Sequence, residues 1–250
     1  EKVASGRKRD QDRAIGRALA NRVSEGMRNL FPRALSYSLS VSGLNSHRLQ
    51  PKKNHCLNIL NSSVLQFPAL THLLFDETNL TEGQLQETGV RNMDLLQKLC
   101  KTQTVPYDFD YGVEIQLPTD SPIVVISAGT RALLPVDLCV PIVPNEANLT
   151  ELSGDPFSRV SAAQGERLRG VLYTLRSCKP CTIGEEMAAK LENYYVEQRR
   201  VCSDGSRTTF SPSHFSLLLL LSRLMAQSYG EAELSEARWE RVRDLVVVAE

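Results

Sequence analysis

Asp76 and Glu77 are the residues of this sequence best placed, by type and by neighbours, to do chemistry. They close the apolar run Leu73-Leu74-Phe75 and stand directly before Thr78. Two adjacent acids at the tip of a buried strand are how nucleotide-hydrolysing α/β domains place a Mg²⁺-holding Asp and a water-positioning Glu. The chain carries no G-x-x-x-x-G-K-[ST] segment to go with them. Without that loop, no row of backbone N–H groups and no lysine cradles the phosphates. Half of a nucleotide site implies an ATPase-like body kept for binding rather than turnover. The competing reading is a strand-end pair that caps loop N–H groups or faces solvent, since Mg²⁺ usually completes its shell with substrate phosphate.

Other reactive side chains form weaker patterns. Cys178-Lys179-Pro180-Cys181 is a lone C-x-x-C. Zinc would need two more ligands, which Cys202 and His214 supply only if the surrounding helices bring them together. A redox role needs the motif at a βα junction, and here it falls between two helices, so an interhelix loop is expected. His47, His55, His72 and His214 show no ligand spacing, and no G-x-S-x-G elbow occurs. The six cysteines read mostly as small buried hydrophobes. No cofactor, no metal and no enzymatic activity are expected. Tyr107, Phe109 and Tyr111 occupy alternate positions, hence one side of a strand. They either pack on their own domain or anchor a protein partner. The acidic, small tip at Asp110-Tyr111-Gly112 argues against tracking a nucleic-acid strand.

The elements that must hold these residues follow from patterning. The chain has 250 residues, 42% of them apolar and 23% charged, with a formal net charge of zero. That composition fits a globular protein and gives no global field toward nucleic acid or an anionic membrane. The run Phe215 to Leu221 is too short to span a bilayer. Arg7-Lys8-Arg9 reads as a solvated stretch, and the N-x-[ST] triplets at Asn61, Asn79 and Asn148 as chance. The opening Glu1-Lys2-Val3 reads as part of something longer.

A helix is expected from Asp12 to about Leu30, then a strand over Tyr37 to Val41, a polar loop to Lys53, and a short helix through Cys56 to Leu65. Thr71 to Phe75 reads as a strand covered on both faces. Val90 to Lys101 reads as a helix with Val90, Met93, Leu96, Leu99 and Cys100 inward. Val105 to Leu117 reads as a hairpin bent at Gly112, Ile123 to Ser127 as the clearest buried strand, and Leu138 to Val143 as a last strand. Four helices follow. The first is marked by Leu168, Val171, Leu172 and Leu175. The second runs Ile183 to Arg200 with Thr182 as cap, the third Ser213 to Tyr229, and the fourth Ser235 to Val248. The fold class is therefore α/β: an α/β core over 1–143, a linker over 144–165, and a helical domain over 166–250.

The segment Leu73-Leu74-Phe75-Asp76-Glu77-Thr78-Asn79-Leu80-Thr81-Glu82-Gly83-Gln84-Leu85 resembles the degenerate Walker B region of the MCM-binding protein family, whose members bind the minichromosome-maintenance (MCM) complex. Gly89-Val90-Arg91-Asn92, Tyr107-Asp108-Phe109-Asp110-Tyr111 and Arg131-Ala132-Leu133-Leu134-Pro135 resemble it at the same spacing. The likeness runs from about residue 23 to 248 and covers the C-terminal half of the usual chain of that family. Leu191-Glu192-Asn193-Tyr194-Tyr195-Val196-Glu197-Gln198-Arg199 is similar to the lid helix of MCM helicase subunits.

The resemblance implies a degenerate AAA+-like core, its first strand and Walker A region missing, followed by a helical lid. It implies vestigial Walker B residues at Asp76 and Glu77. By the same likeness, the polar residue ending the next core strand corresponds to Gly129, the arginine-finger segment to Pro135-Val136-Asp137, and the lid arginine to Ser213 or His214, so each of these groups is lost. An arginine finger alone is worth roughly 10³–10⁵ in rate. The resemblance implies a non-catalytic partner of MCM helicase subunits. It would act in their assembly, their unloading from chromatin, DNA replication and sister-chromatid cohesion, in the nucleus. Contact with chromatin would be indirect, with direct nucleic-acid binding not expected. The alternative is an active AAA+ ATPase whose Walker A loop lies upstream.

Overall fold

The chain opens in a long helix, α1 (Lys2–Leu30), which starts at Lys2 rather than at Asp12. Lysine and arginine favour helix, and no proline precedes Pro32, so nothing stops the helix from including the basic stretch. The computed structural model describes residues 2–128, 132–142, 161–203 and 211–249. Gly129, Arg131, most of the 144–165 stretch and the Cys202 side chain lie outside the described residues. By contacts the chain divides into two units, one of Glu1–Val136 with Pro144–Gly165 and one of Asp137–Val143 with Glu166–Glu250.

In the first unit, strand β1 (Ala34–Ser38) gives way to the short helix α2 (Val41–Ser46). Ser40 ends the extended stretch because its hydroxyl accepts the Gly43 N–H at 3.1 Å and so caps α2. That displaces the strand expected over 37–41. Strands β2 (Lys52–Asn54) and β3 (Ile59–Asn61) form an antiparallel pair where a helix through Cys56 to Leu65 was expected. Turn chemistry decides it. Asn54 Oδ1 accepts the Leu57 N–H at 3.2 Å, and Asn58 takes a left-handed φ of 50°.

Strand β4 (His72–Asp76) is buried along Leu73, Leu74 and Phe75, as its unbroken apolar run requires. Helix α3 (Glu87–Thr102) turns Leu95, Leu96 and Leu99 inward. Val90 is 56% exposed, against expectation. The buried face is led instead by Gly89, which has no side chain, and by the polar Asn92, neither of which gives an apolar signal. Strands β5 (Thr104–Asp108) and β6 (Glu114–Pro118) make the expected hairpin, and β7 (Ile123–Ile126) ends the described strands. β7 is only half-buried, with Val124 at 41% exposure, because it has a paired neighbour on one side alone among the described residues.

These strands form two sheets. One is parallel in the order β1-β4-β7; the other is mixed, in the order β3-β2-β5-β6. Leucines 39, 44, 49, 73, 96 and 99 share a single apolar cluster with Phe75, Val105 and Leu134. The α1 helix lies over the parallel sheet through buried Ala20 and Met27. Residues 138–142 are not strand, although Leu138, Val140 and Ile142 alternate; none has a strand partner among the described residues, and each is exposed.

The second unit is helical: α4 (Ala162–Ser177), α5 (Glu185–Ser203), α6 (Pro212–Ser228) and α7 (Glu236–Ala249). Thr182 does not cap α5. It sits in a parallel bridge with Glu233, and its hydroxyl donates to the Ala232 carbonyl at 3.2 Å. Ser211 caps α6 by accepting the His214 N–H at 3.1 Å, with Pro212 at the first position. The core centres on Trp239, against which Tyr194 and Phe215 stack edge-on at 5.4 and 6.2 Å, with Met187, Leu191 and Leu218 around it. The architecture is mixed α/β.

Candidate functional site

The parallel register aligns Ser38, Asp76 and Ile126, so β1, β4 and β7 end at one level. Open α/β sheets place their ligand sites beyond such carboxyl ends. Asp76 and Glu77 lie there, and both are buried, at 7% and 5% exposure.

A buried carboxylate must find donors, and each of these finds them within the protein. Asp76 Oδ1 accepts the Thr78 N–H at 2.8 Å and the Thr78 hydroxyl at 2.6 Å. Its Oδ2 accepts from the Ser38 hydroxyl at 3.4 Å and from Asn79 Nδ2 at 3.5 Å. Asp76 thereby shapes the turn leaving β4. Glu77 reaches much further along the chain. Its Oε1 accepts the N–H groups of Leu133 and Leu134 at 3.1 and 2.9 Å, and its Oε2 accepts that of Leu133 at 3.0 Å. Each oxygen of the pair thus accepts at least one hydrogen bond from the protein, and the carboxylates hold loops. The Glu77 clamp also seats Leu134 in the core, 1% exposed, while Leu133 points out at 58%. Packing closes the strand end further. A Cβ on Gly16 of α1 would stand 2.9 Å from Thr78 Cγ2, so the helix approaches as closely as it does only because that residue is glycine.

Pro135-Val136-Asp137 carries no arginine, and Val136 is 45% exposed. In the second unit Cys178 is exposed and Cys181 buried, both as free thiols. Burial pushes the Cys181 thiol up in spite of the opposing Arg223 charge. Among the described residues no group of three His, Cys, Asp or Glu side chains is placed to hold a metal ion. No helix of the described residues is long and apolar enough to cross a membrane.

The aromatic arm is split by its turn. Tyr107 is half-buried against the core cluster and Phe109 is half-buried beside it in sequence. Asp110, Tyr111 and Gly112 then all take left-handed φ values, of 63°, 52° and 77°. Alternation stops there, so Tyr111 leaves the face of the other two and stands 92% exposed. For a tyrosine that backbone costs about 1–2 kcal/mol. Around the turn, Lys52 pairs with Asp110 at 2.5 Å and Arg48 with Asp108 at 2.5 Å, and the Tyr111 ring leans on His55 at 5.6 Å. Val113, Ile115 and Leu117 continue the exposed apolar row along β6. The alternation in the sequence already carries that row.

Burial acts to raise the Asp108 carboxyl, but the Asp110 N–H, at 2.7 Å, and the Arg48 guanidinium outweigh it and hold the group below its ordinary 3.8. A carboxylate depressed in the folded state adds stability above its unfolded value of about 3.9 and loses it as pH falls through the folded value. Asp108→Asn is therefore expected to cost under about 1 kcal/mol near neutral pH. Its melting temperature should converge on that of the wild type below about pH 4. A difference that stayed constant from pH 7 to pH 3 would contradict this.

Sequence reasoning missed Asn92. It is 1% exposed within an apolar helix face. Its Nδ2 donates to the carbonyls of Leu44 and His47 at 2.8 and 2.6 Å, while its Oδ1 accepts the Leu49 N–H at 3.0 Å. The available signal was a lone amide in line with Leu95, Leu96 and Leu99.

Comparison with known proteins adds an independent line. A family model described as Mini-chromosome maintenance replisome factor matches residues 11–246. Proteins called Mini-chromosome maintenance complex-binding protein are similar to this chain. The one from Arabidopsis thaliana is 34% identical over 89% of the chain and 36% of its own length. The one from Salmo salar is 32% identical over 90% of the chain and 35% of its own length. The one from Homo sapiens is 31% identical over 88% of the chain and 33% of its own length. The chain thus spans about a third of the length of these relatives.

Proposed function

This chain belongs to the Mini-chromosome maintenance replisome factor family, and from that premise we propose that it binds MCM helicase subunits without catalysing a reaction. One observation carries the non-catalytic half: all four oxygens of Asp76 and Glu77 accept hydrogen bonds from the protein's own groups. A Mg²⁺-holding Asp and a water-orienting Glu need oxygens turned to the ligand. This pair is turned to Thr78 and to Leu133-Leu134.

The body is an AAA+-like core in degenerate form. A three-stranded parallel sheet with the acids at the carboxyl end of its central strand supports that reading. The helical residues 166–250 are its lid. A domain built on such a core can occupy a subunit–subunit interface with neither phosphate loop nor arginine finger. On this reading the protein works in the nucleus on the assembly of MCM complexes and their unloading from chromatin, and so in replication and cohesion. Its own contacts are with protein, and its association with chromatin is indirect. Tyr111, exposed on a strained backbone, is the residue of the arm free to meet a partner, whereas Tyr107 and Phe109 serve the fold.

The test is co-purification from nuclear extract at physiological salt. MCM subunits should be recovered with the chain, and recovery of none would reject the reading. In parallel, ATP hydrolysis by the chain should equal background and be unmoved by Glu77→Gln. Turnover abolished by that substitution would favour an active enzyme.

A further inference from the structure

Helix α4 is amphipathic in sequence, yet it buries no residue along its 16 positions. At about 100° per residue, Leu168, Val171, Leu172 and Leu175 make one stripe about 100° wide. Leu168 and Val171 are 45% and 54% exposed, and Leu172 and Leu175 are half-buried. Helices in proteins draw most of their stability from packing, and this one is fixed at both ends. Ser161 and Gln164 form a reciprocal capping box: the Ser161 hydroxyl accepts the Gln164 N–H at 3.3 Å, and Gln164 Oε1 accepts the Ser161 N–H at 2.9 Å. Near the other end, Gln227 Nε2 donates to the Leu175 carbonyl at 2.7 Å. The stripe is thus presented ready-formed, which lowers the ordering cost of docking.

Charge specifies the occupant. Within α4 stand three arginines, Arg167, Arg169 and Arg176, and one acid, Glu166. On the same helical geometry Arg167 borders the stripe on one side and Arg176 on the other, while Glu166 points roughly away from it. An apolar stripe between basic borders is complemented by an apolar groove with acidic rims.

We propose that α4 docks by Leu168, Val171, Leu172 and Leu175 into an acid-rimmed apolar groove of a protein subunit of the MCM complex. The proposal rests on the reading of the chain as an MCM binder and names the surface that does it. Helix-in-groove contacts concentrate their energy in a few anchors, and here the anchors are already outside the core.

The experiment measures the affinity of the full chain for purified MCM complex at physiological salt. Three proteins are compared: wild type, Leu168→Asp with Val171→Asp, and Arg167→Glu with Arg176→Glu. All the substituted positions lie outside the core, so melting temperatures should match the wild type. Each variant is expected to bind at least about tenfold more weakly. The charge-reversed variant should also show a flatter salt dependence. Wild-type affinity in both variants would overturn the proposal while leaving MCM binding standing. No binding by the wild type would overturn both. A helix of this kind could instead meet an anionic lipid surface. Co-sedimentation of the wild type with vesicles of phosphatidylcholine and phosphatidylserine, lost in the aspartate variant while MCM affinity is unchanged, would also overturn it.

Discussion

Replacing Glu77 with alanine is expected to cost the first unit about 3 kcal/mol, since one buried and one partly buried backbone donor lose a charged acceptor at once. With a urea dependence of about 2 kcal/mol per molar, the midpoint should fall by about 1.5 M. The amide protons of Leu133 and Leu134 should exchange faster, because Glu77 is the acceptor for both. Glu77→Gln keeps one carbonyl oxygen and should lose less, about 1 kcal/mol. A water-activating glutamate behaves in the opposite way: strain stored for chemistry is relieved by neutral substitution, and stability holds or rises. An unchanged midpoint for Glu77→Ala would show that the clamp contributes nothing.

Asn92→Ala should be equally costly, again about 3 kcal/mol, by a different route. The amide fixes the loop after α2 by satisfying the buried Leu44 carbonyl and Leu49 N–H and the partly buried His47 carbonyl. Removing it leaves all three unpartnered by that side chain. Asn92→Leu separates volume from hydrogen bonding, since leucine refills the space without serving the loop. Both variants should unfold at lower urea, with the leucine variant recovering less than half of the loss. Full recovery would mean that packing alone accounts for this position.

Sequence patterning located those elements whose burial is settled locally. The run Leu73 to Phe75 could only be a covered strand, and Leu95, Leu96 and Leu99 could only be the inner face of a helix. It failed where a short polar side chain decided the backbone. Ser40 turned an expected strand residue, Val41, into the start of a helix, and Asn54 and Asn58 turned an apolar stretch into a hairpin. It failed too where a pattern had no neighbour: Leu138, Val140 and Ile142 alternate as a strand would, but alternation becomes a strand only against a paired edge.

The acid pair itself was legible, because charge at the end of an apolar run is a local signal. That it caps loop N–H groups was one of its two readings; which N–H groups it holds was not legible. Leu133 and Leu134 lie 56 and 57 residues further along, and no spacing rule connects a carboxylate to backbone amides that distant. The exposed stripe of α4 shows the converse difficulty. Its periodicity was plain, and that periodicity alone would have placed it in the core.

The closing residue of β6 has a consequence for solution behaviour. Phe109 donates to Val113 across the hairpin, and the alternation of an antiparallel pair then leaves only the N–H groups of Glu114 and Gln116 on the outer side before Pro118, which has none. A foreign strand zipping along this rim would gain two donors, meet a carboxylate, and stop at a ring. The hairpin can therefore display a greasy row to a chosen companion while resisting runaway polymerisation with copies of itself.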